Sequence, residues 1–197
     1  MNLPNKLTMA RIIMAIIIIV MLLFPYDQIN LEIPLYEIGN VSIGLDYIIA
    51  GILFVVASVT DFVDGNYARK HNMVTDFGKV MDAIADKVLV NGALIIMAYN
   101  RLIPVIVPVV IITRDTVVDS IKMVAGSKGN VVGASIAGKI KTICMMVGLS
   151  LIFFSNLPFE LIGLPLDKIL LYLATILSLF SGIQYFIVNK KYFLEGR

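Results

Sequence analysis

Four aspartates, arranged as two pairs, interrupt stretches of this sequence that are otherwise apolar enough to cross a membrane. Asp61 and Asp64 follow an apolar run, and Asp82 and Asp86 precede another. A charged side chain at the centre of a membrane-spanning helix costs roughly 2.5–3.5 kcal/mol, so carboxylates within such helices usually mark an ion, proton or substrate site. Four carboxylates close together therefore predict that this chain binds a cation.

The spacing of the aspartates predicts where they point. The first pair is separated by three positions and the second by four, so the members of each pair lie on one side of a helix, about one turn apart. A polar turn joins the two helices, which places both pairs at the same end of an antiparallel helix pair. We call these four side chains, Asp61, Asp64, Asp82 and Asp86, the carboxylate face. The smallest residues nearby share these helix sides and leave room for a bulky ligand, namely Gly65, Ala68 and Gly78.

The composition predicts an integral membrane protein. Of 197 residues, 59% are hydrophobic and 15% are charged, and the mean hydropathy of +0.92 is too high for an ordinary soluble domain. Apolar runs near the 20 residues that a bilayer requires predict an all-α fold of six spanning helices in one bundle, a single domain over residues 1–197. We predict these helices at 7–24, 45–69, 79–99, 103–124, 134–155 and 165–189, after a short interfacial segment at 2–6.

Lysine and arginine are distributed unevenly between the two sides of this predicted bundle. Only Arg101 and Lys168 fall on the side of the long loop at 25–44, whereas the other 14 of the 16 fall on the opposite side. Because lysine and arginine accumulate on the cytoplasmic side of membrane proteins, we predict that both termini are cytoplasmic and that the loop is external. The carboxylate face then faces the cytosol.

Basic residues in the fourth and fifth helices are candidates for binding an anion. These residues are Arg114, Lys122, Lys139 and Lys141. A basic cluster opposite a carboxylate site suits an anionic substrate. The alternative is ordinary lysine at the cytoplasmic interface with its ammonium group in water, which applies to Lys122 as readily as anion binding does and less readily to Arg114, since a guanidinium within a helix requires a partner.

Carboxylate oxygens are hard ligands, which select Mg²⁺, Mn²⁺ or Ca²⁺ over softer metals. Two such ions can clamp the attacking and leaving oxygens during displacement at phosphorus. The aspartates alone leave two classes of function open, metal-assisted phosphoryl chemistry at the membrane surface and ion transport.

The full spacing of these residues resembles the signature of the CDP-alcohol phosphatidyltransferase family. The sequence reads Asp61-x-x-Asp64-Gly65-x-x-Ala68-Arg69, then eight residues, then Gly78-x-x-x-Asp82-x-x-x-Asp86. Every fixed position of the signature is matched. Four further stretches resemble the bacterial phosphatidylglycerophosphate synthases of that family, so the resemblance covers nearly the whole chain: residues 2–5, 138–142, 156–160 and 181–186.

The resemblance implies a six-helix, dimeric membrane enzyme. It would transfer the phosphatidyl group of CDP-diacylglycerol to a hydroxyl of sn-glycerol 3-phosphate and release CMP, with two Mg²⁺ or Mn²⁺ ions as cofactors and no nucleic acid as partner. Carried over residue by residue, Asp61, Asp64, Asp82 and Asp86 would bind the metals, and Asp86 would also be the catalytic base.

The resemblance also implies how the substrates are held. CDP-diacylglycerol would contact five residues, of which Asp61 is also a metal ligand. They are Asp61, Gly65, Ala68, Arg69 and Gly78. The phosphate of the acceptor would be received by the basic cluster, namely Arg114, Lys122, Lys139 and Lys141.

The chain departs from those synthases near the predicted acceptor site. Ala83-Ile84 stands where Pro-Leu is usual, Asp115-Thr116 stands where Glu-Phe follows the arginine, and Asp119 adds a negative charge. These departures bear on the acceptor, which leaves inositol phosphate, serine or a second lipid as alternatives within the same chemistry. A divalent-cation transporter is the alternative from another class, although transport would not explain Gly65, Ala68 and Arg69 beside the carboxylates.

Overall fold

The computed structural model describes residues 3–70, 75–127, 129, 133 and 135–190, with the backbone alone at 3–4, 66–69 and 76. Within these residues the chain forms six α-helices and one β-hairpin. The helices are α1 Leu3–Leu23, α2 Leu45–Lys70, α3 Asp76–Tyr99, α4 Ile106–Ser127, α5 Ile136–Phe153 and α6 Leu166–Asn189. The hairpin consists of β1 Leu35–Ile38 and β2 Val41–Gly44, and single 3₁₀ turns lie at Tyr26–Ile29 and Phe159–Ile162. The predicted helices are all present.

Two predictions about the chain near its N-terminus were incomplete. Helix α1 begins at Leu3, so residues 3–6 of the predicted interfacial segment form its first turn. The loop at 25–44, for which no helix is predicted, contains the hairpin, in which Ile38 pairs with Val41 around a two-residue turn. Gly39 in that turn has a φ of 63°, a conformation that glycine adopts without strain.

The helices pack as two groups of three. Helix α1 lies along α2 and α3, while α6 lies along α4 and α5, and contacts of α2 with α5 and of α3 with α4 join the groups. Small side chains such as Ala50, Ala57 and Ala93 are completely or almost completely buried where the helices meet, as is usual where membrane helices approach closely. Phe54 and Phe153 fill the contact between the groups, with ring centroids 5.2 Å apart.

Four of the helices are long and apolar enough to cross a membrane, judged by length and composition within the described residues. They are Asn5–Leu23, Leu45–Gly65, Ile136–Phe153 and Leu166–Asn189. Large aliphatic side chains such as Ile13, Val20 and Ile183 are exposed on their outer surfaces, which suits contact with lipid. The protein is a mostly helical membrane protein. Helices α3 and α4 carry charged residues of the predicted site and are not among these four candidate spans. The six-span arrangement therefore stays a prediction.

The antiparallel helices give the molecule two chemically different ends. The C-terminal end of α2 and the N-terminal ends of α3 and α5 lie together at one end of the molecule, which we call the site end. At the opposite end, the hairpin end, Arg101 and Lys168 line one cavity together with hairpin residues such as Leu35 and Ile43. The two basic residues that the sequence set apart from the other 14 thus lie beside the loop at 25–44.

Candidate active site

Three aspartates of the carboxylate face surround the guanidinium of Arg11. Nη2 of Arg11 donates a hydrogen bond to Oδ2 of Asp64 at 2.9 Å, and Nη1 lies 2.5 Å from Oδ1 of Asp61 and 3.7 Å from Oδ1 of Asp82. The Asp61 contact has the distance of an ion pair without the angles of a hydrogen bond. The pairs on α2 and α3 therefore face each other, as the spacing predicts, across an arginine supplied by α1.

The first half of α1 presents a polar side to the site. Asn5, Thr8 and Arg11 recur every three residues, so they lie along one side of the helix. The hydroxyl of Thr8 donates to Oδ1 of Asp82 at 2.5 Å, and the amide of Asn5 lies 3.4 Å from the hydroxyl of Thr75. This side of α1 therefore packs against α2 and α3 and forms one wall of the site.

Helix α3 starts at the site through a side-chain cap. The hydroxyl of Thr75 accepts a hydrogen bond from the backbone N–H of Gly78 at 3.0 Å, which satisfies one of the free donors at the helix start. A Cβ on Gly78 would lie 2.8 Å from Oδ1 of Asn5. Gly78 thus permits α1 and α3 to approach here, in addition to the role predicted for it beside the nucleotide.

Asp86 lies one turn further along α3 and does not contact Arg11. Its Oδ1 is buried and has no hydrogen-bond partner among the described residues. Instead, Asp86 lines a cavity of about 250 Å³ on the side of α4 and α5. The fourth aspartate therefore connects the carboxylate face with the next part of the site.

The chemistry of these aspartates fits a hard divalent cation. Three carboxylates converge on one positively charged group, and a buried oxygen of the fourth lacks a partner among the described residues. In the positions shown, no three Asp, Glu, His or Cys side chains within the described part of the chain are grouped as ligands of one ion. The guanidinium of Arg11 instead lies between the pair on α2 and Asp82.

The cavity beside Asp86, which we call the basic pocket, has charged walls from three helices. Its charged lining comprises four basic and three acidic side chains, namely Lys87, Arg114, Lys122 and Lys141 with Asp86, Asp115 and Asp119. Nζ of Lys141 donates to both carboxylate oxygens of Asp115, at 2.8 and 2.7 Å, and Nη1 of Arg114 donates to Asp115 at 2.9 Å. Asp115 thus lies between the two cations that are best placed to bind an anion.

Helix α6 holds Arg114 in place. Nη2 of Arg114 donates to the hydroxyl of Ser181 at 2.7 Å, and the guanidinium carbon lies 5.6 Å from the centre of the Tyr185 ring. A Cβ on Gly182 would lie 2.9 Å from Cγ of Arg114, so glycine is required for the arginine to lie flat across α6. The hydroxyl of Tyr185 also accepts from the N–H of Ser135 at 3.0 Å, and Ser135 caps α5.

The four residues predicted to bind the acceptor phosphate differ in their burial and in whether they line the basic pocket. Lys141 is 4% exposed and lines the basic pocket with Arg114. Lys122 also lines it, with its Nζ 5.7 Å from the centre of the Tyr185 ring. Lys139 is exposed and is not part of the lining. The structure thus brings three of the four together, and the role of each stays a prediction.

The remaining predicted residues are described only in part. Gly65 lies on α2 and is partly buried. Ala68 and Arg69 belong to the last turn of α2, and their side chains lie outside the described residues. Their predicted contacts with a nucleotide stay predictions.

Comparison with known proteins decides the family. Residues 1–180 match the family described as CDP-alcohol phosphatidyltransferase. The chain belongs to this family. A protein of Bacillus subtilis (strain 168) named CDP-diacylglycerol–glycerol-3-phosphate 3-phosphatidyltransferase is 43% identical over 188 residues, which cover 95% of each chain. Proteins of the same name from Rickettsia bellii and Mycoplasma genitalium are 35% and 36% identical, over 98% and 93% of this chain and 97% and 82% of theirs.

The family assignment resolves the alternative between phosphatidyltransferase and cation transporter in favour of the enzyme. For this CDP-alcohol phosphatidyltransferase, the predicted signature residues lie at the site end, but sequence reasoning missed Arg11, Thr8 and Asp115. Arg11 was counted only as a cytoplasmic positive charge. Its position six residues after Asn5 and three after Thr8, within an apolar helix, was the available signal.

Proposed function

We propose that this protein transfers the phosphatidyl group of CDP-diacylglycerol to sn-glycerol 3-phosphate, which gives phosphatidylglycerol phosphate and CMP. The observation that carries the proposal is the meeting of the carboxylate face and the basic pocket at Asp86. One region suits a cation-bound diphosphate and the other an anionic acceptor. The 43% identity to a protein named for this reaction supports the same acceptor.

The carboxylate face is the proposed site of two divalent ions, held by Asp61, Asp64, Asp82 and Asp86. Such ions, when bound, neutralise phosphate oxygens and make a nearby hydroxyl more acidic. Asp61, together with Gly65, Ala68, Arg69 and Gly78, is proposed to contact CDP-diacylglycerol, since all lie at the ends of α2 and α3 next to the carboxylates.

The basic pocket is the proposed site of the acceptor phosphate. Arg114 and Lys141 donate to Asp115, which shows that both cations reach one carboxylate-sized anion. A phosphate group bound there takes over these donors, and Lys122 at the rim adds a further positive charge. The acceptor is then held with its hydroxyl directed along α3 toward Asp86.

Asp86 is proposed to be the general base. The acceptor oxygen attacks the phosphorus that carries the diacylglycerol, the bond from that phosphorus to the oxygen of CMP breaks, and the hydroxyl proton passes to Asp86. Its free Oδ1 lies between the two substrate regions, where a proton acceptor must lie for this step. The proton leaves to solvent after CMP has departed.

The proposed arrangement in the membrane has six spans, both termini in the cytoplasm and the loop at 25–44 outside the cell. The 14 basic residues on one side support it, as does the need of a CDP substrate for a cytosolic site. A tag at the C-terminus should be labelled only in permeabilised cells. Labelling in intact cells would contradict this topology and place the C-terminus outside the cell. We also propose a homodimer, as the family resemblance implies, which light scattering in detergent tests.

The test of the reaction is release of CMP from CDP-diacylglycerol by the purified protein in detergent. We expect release to require Mg²⁺ or Mn²⁺ and sn-glycerol 3-phosphate, with mass spectrometry detecting phosphatidylglycerol phosphate. Parallel reactions with inositol phosphate, serine and a phospholipid serve as acceptor controls. Faster release with one of these than with glycerol 3-phosphate would contradict the proposed acceptor and retain the chemistry.

A further inference from the structure

Arg11 lies beneath the carboxylate face rather than at its surface. Its side chain is 0% exposed, while those of Asp61 and Asp82 are 39% and 48% exposed. The two outer aspartates are therefore open to solvent on the side away from the arginine. A small cation can reach their outward oxygens while Arg11 contacts the inward ones.

The position of Arg11 is not that of a fully satisfied structural ion pair. Among the described residues, its Nε is buried without a hydrogen-bond partner. Full burial of a guanidinium is costly, and the cost is recovered only when geometry and hydrogen bonding are nearly ideal. A residue serving only to join α1 with α2 could have been apolar. The retained charge therefore points to an electrostatic role toward the three aspartates around it.

The charge of Arg11 must oppose any other cation at the same carboxylates. Positive charges that share the same carboxylates repel each other, and the repulsion is larger for a divalent ion than for a singly charged one. Arg11 also fixes the orientation of Asp64, which is 5% exposed, through a direct hydrogen bond. The same side chain thus orders the carboxylate face and reduces its net negative charge.

We propose that Arg11 is a built-in counter-cation, a positioning residue that lowers the affinity of the carboxylate face for divalent ions in the absence of substrate. The proposal rests on the proposed function of that face as the metal site. A diphosphate brings its own negative charge, which offsets Arg11. Tight occupation by divalent ions is thereby linked to the arrival of the nucleotide.

The variant Arg11→Gln separates this role from a structural one. Removal of the positive charge should tighten Mn²⁺ binding by about 10-fold or more, from the Coulomb energy of the pair. A residue that merely held the aspartates together would have the opposite effect, since its loss would separate the ligands and weaken binding. Arg11→Lys keeps the charge, so its Mn²⁺ affinity should stay within about threefold of the original protein.

The experiment is a Mn²⁺ titration of the full-length protein in detergent without substrate, followed by electron paramagnetic resonance of free Mn²⁺. Arg101→Gln, which removes an arginine at the hairpin end, is the matched control and should bind as the original protein does. Tighter binding by Arg11→Gln together with unchanged binding by Arg11→Lys supports the proposal. Unchanged or weaker binding by Arg11→Gln overturns it.

Two further outcomes are decisive. If Arg11→Gln does not give a folded, monodisperse protein, Arg11→Lys alone carries the test, and a change of more than about 10-fold in its affinity overturns the proposal, because charge alone would then not account for the effect. If the original protein and Arg11→Gln both bind no Mn²⁺ at all, the proposed metal site fails as well. That result is distinguishable from failure of Arg11 alone, in which the original protein binds and Arg11→Gln binds equally.

Discussion

In both the carboxylate face and the basic pocket, charged side chains surround one side chain of opposite charge, and the signs are reversed between the two regions. In the first, three aspartates surround Arg11, and in the second, Arg114 and Lys141 hold Asp115. The difference lies in access. Arg11 is 0% exposed and lies beneath its aspartates, whereas Asp115 is 26% exposed and lines an open cavity.

This difference indicates how each region treats its ligand. The buried arginine stays in place, so we propose that a metal ion binds beside it and tolerates its charge. The more exposed aspartate can be displaced from its lysine by a stronger anion such as phosphate. Under this proposal the carboxylate face keeps its internal counter-charge when ligands bind, whereas in the basic pocket the internal anion, Asp115, exchanges with the acceptor.

The largest expected effect concerns Asp86, where the two regions meet. Asp86→Asn keeps the shape of the side chain and removes the base, so turnover should fall by a factor of about 10² or more at saturating Mg²⁺ and acceptor. Binding of CDP-diacylglycerol should largely remain. The exposed Asp27→Asn at the hairpin end is the control. Near-normal turnover in Asp86→Asn would remove Asp86 from the role of base.

The next effect concerns Lys141 of the basic pocket. Loss of a charged hydrogen bond to phosphate is worth about 1.5–3 kcal/mol, so Lys141→Gln should raise KM for glycerol 3-phosphate roughly 10- to 150-fold. KM for CDP-diacylglycerol should change much less. The exposed Lys139→Gln is the matched control, two residues away and outside the lining. Equal effects on both substrates would count against an acceptor site here.

Asp115 tests whether the internal anion exchanges with the acceptor. Asp115→Asn removes a negative charge from Arg114 and Lys141 but keeps a hydrogen-bonding side chain, so KM for glycerol 3-phosphate should fall by about three- to tenfold. Asp27→Asn is the control, because Asp27 is exposed and lies outside the basic pocket. A raised KM in Asp115→Asn would show that Asp115 positions Lys141 and is not displaced.

The smallest expected effect concerns the support of Arg114 by α6. Gly182→Ala places a Cβ 2.9 Å from Cγ of Arg114, so the arginine must shift. We expect KM for glycerol 3-phosphate to rise about threefold and stability to fall by about 1 kcal/mol. Gly126→Ala, where a Cβ meets nothing within 4 Å, is the control. If both variants had identical kinetics, the position of Arg114 would not affect binding of the acceptor.

The sequence predicted the helices and the aspartate pairs because both depend on local pattern. Runs of apolar residues determine the helices, and spacings of three and four determine which side chains share a helix side. The hairpin at 35–44 was not predicted, although Gly39-Asn40 is a common two-residue turn, because each of its strands is only four residues long and gives a short pattern.

The two internal counter-charges could not be predicted with the same ease. Arg11 and Asp64 are 53 positions apart, and Lys141 and Asp115 are 26 apart, so only the packing of α1 against α2, and of α4 and α5 against α6, brings them together. The sequence did show the charges themselves. It did not show that each lies among charges of opposite sign, nor that Lys139 lies outside the basic pocket.

The most direct test is a crystal structure of the protein soaked with Mn²⁺, CDP and glycerol 3-phosphate, with anomalous scattering measured to locate the metal. We predict Mn²⁺ within about 2.6 Å of carboxylate oxygens of Asp61, Asp64, Asp82 or Asp86, and phosphate density in contact with Arg114 and Lys141. Anomalous density only at the hairpin end, or phosphate bound away from the basic pocket, would contradict it.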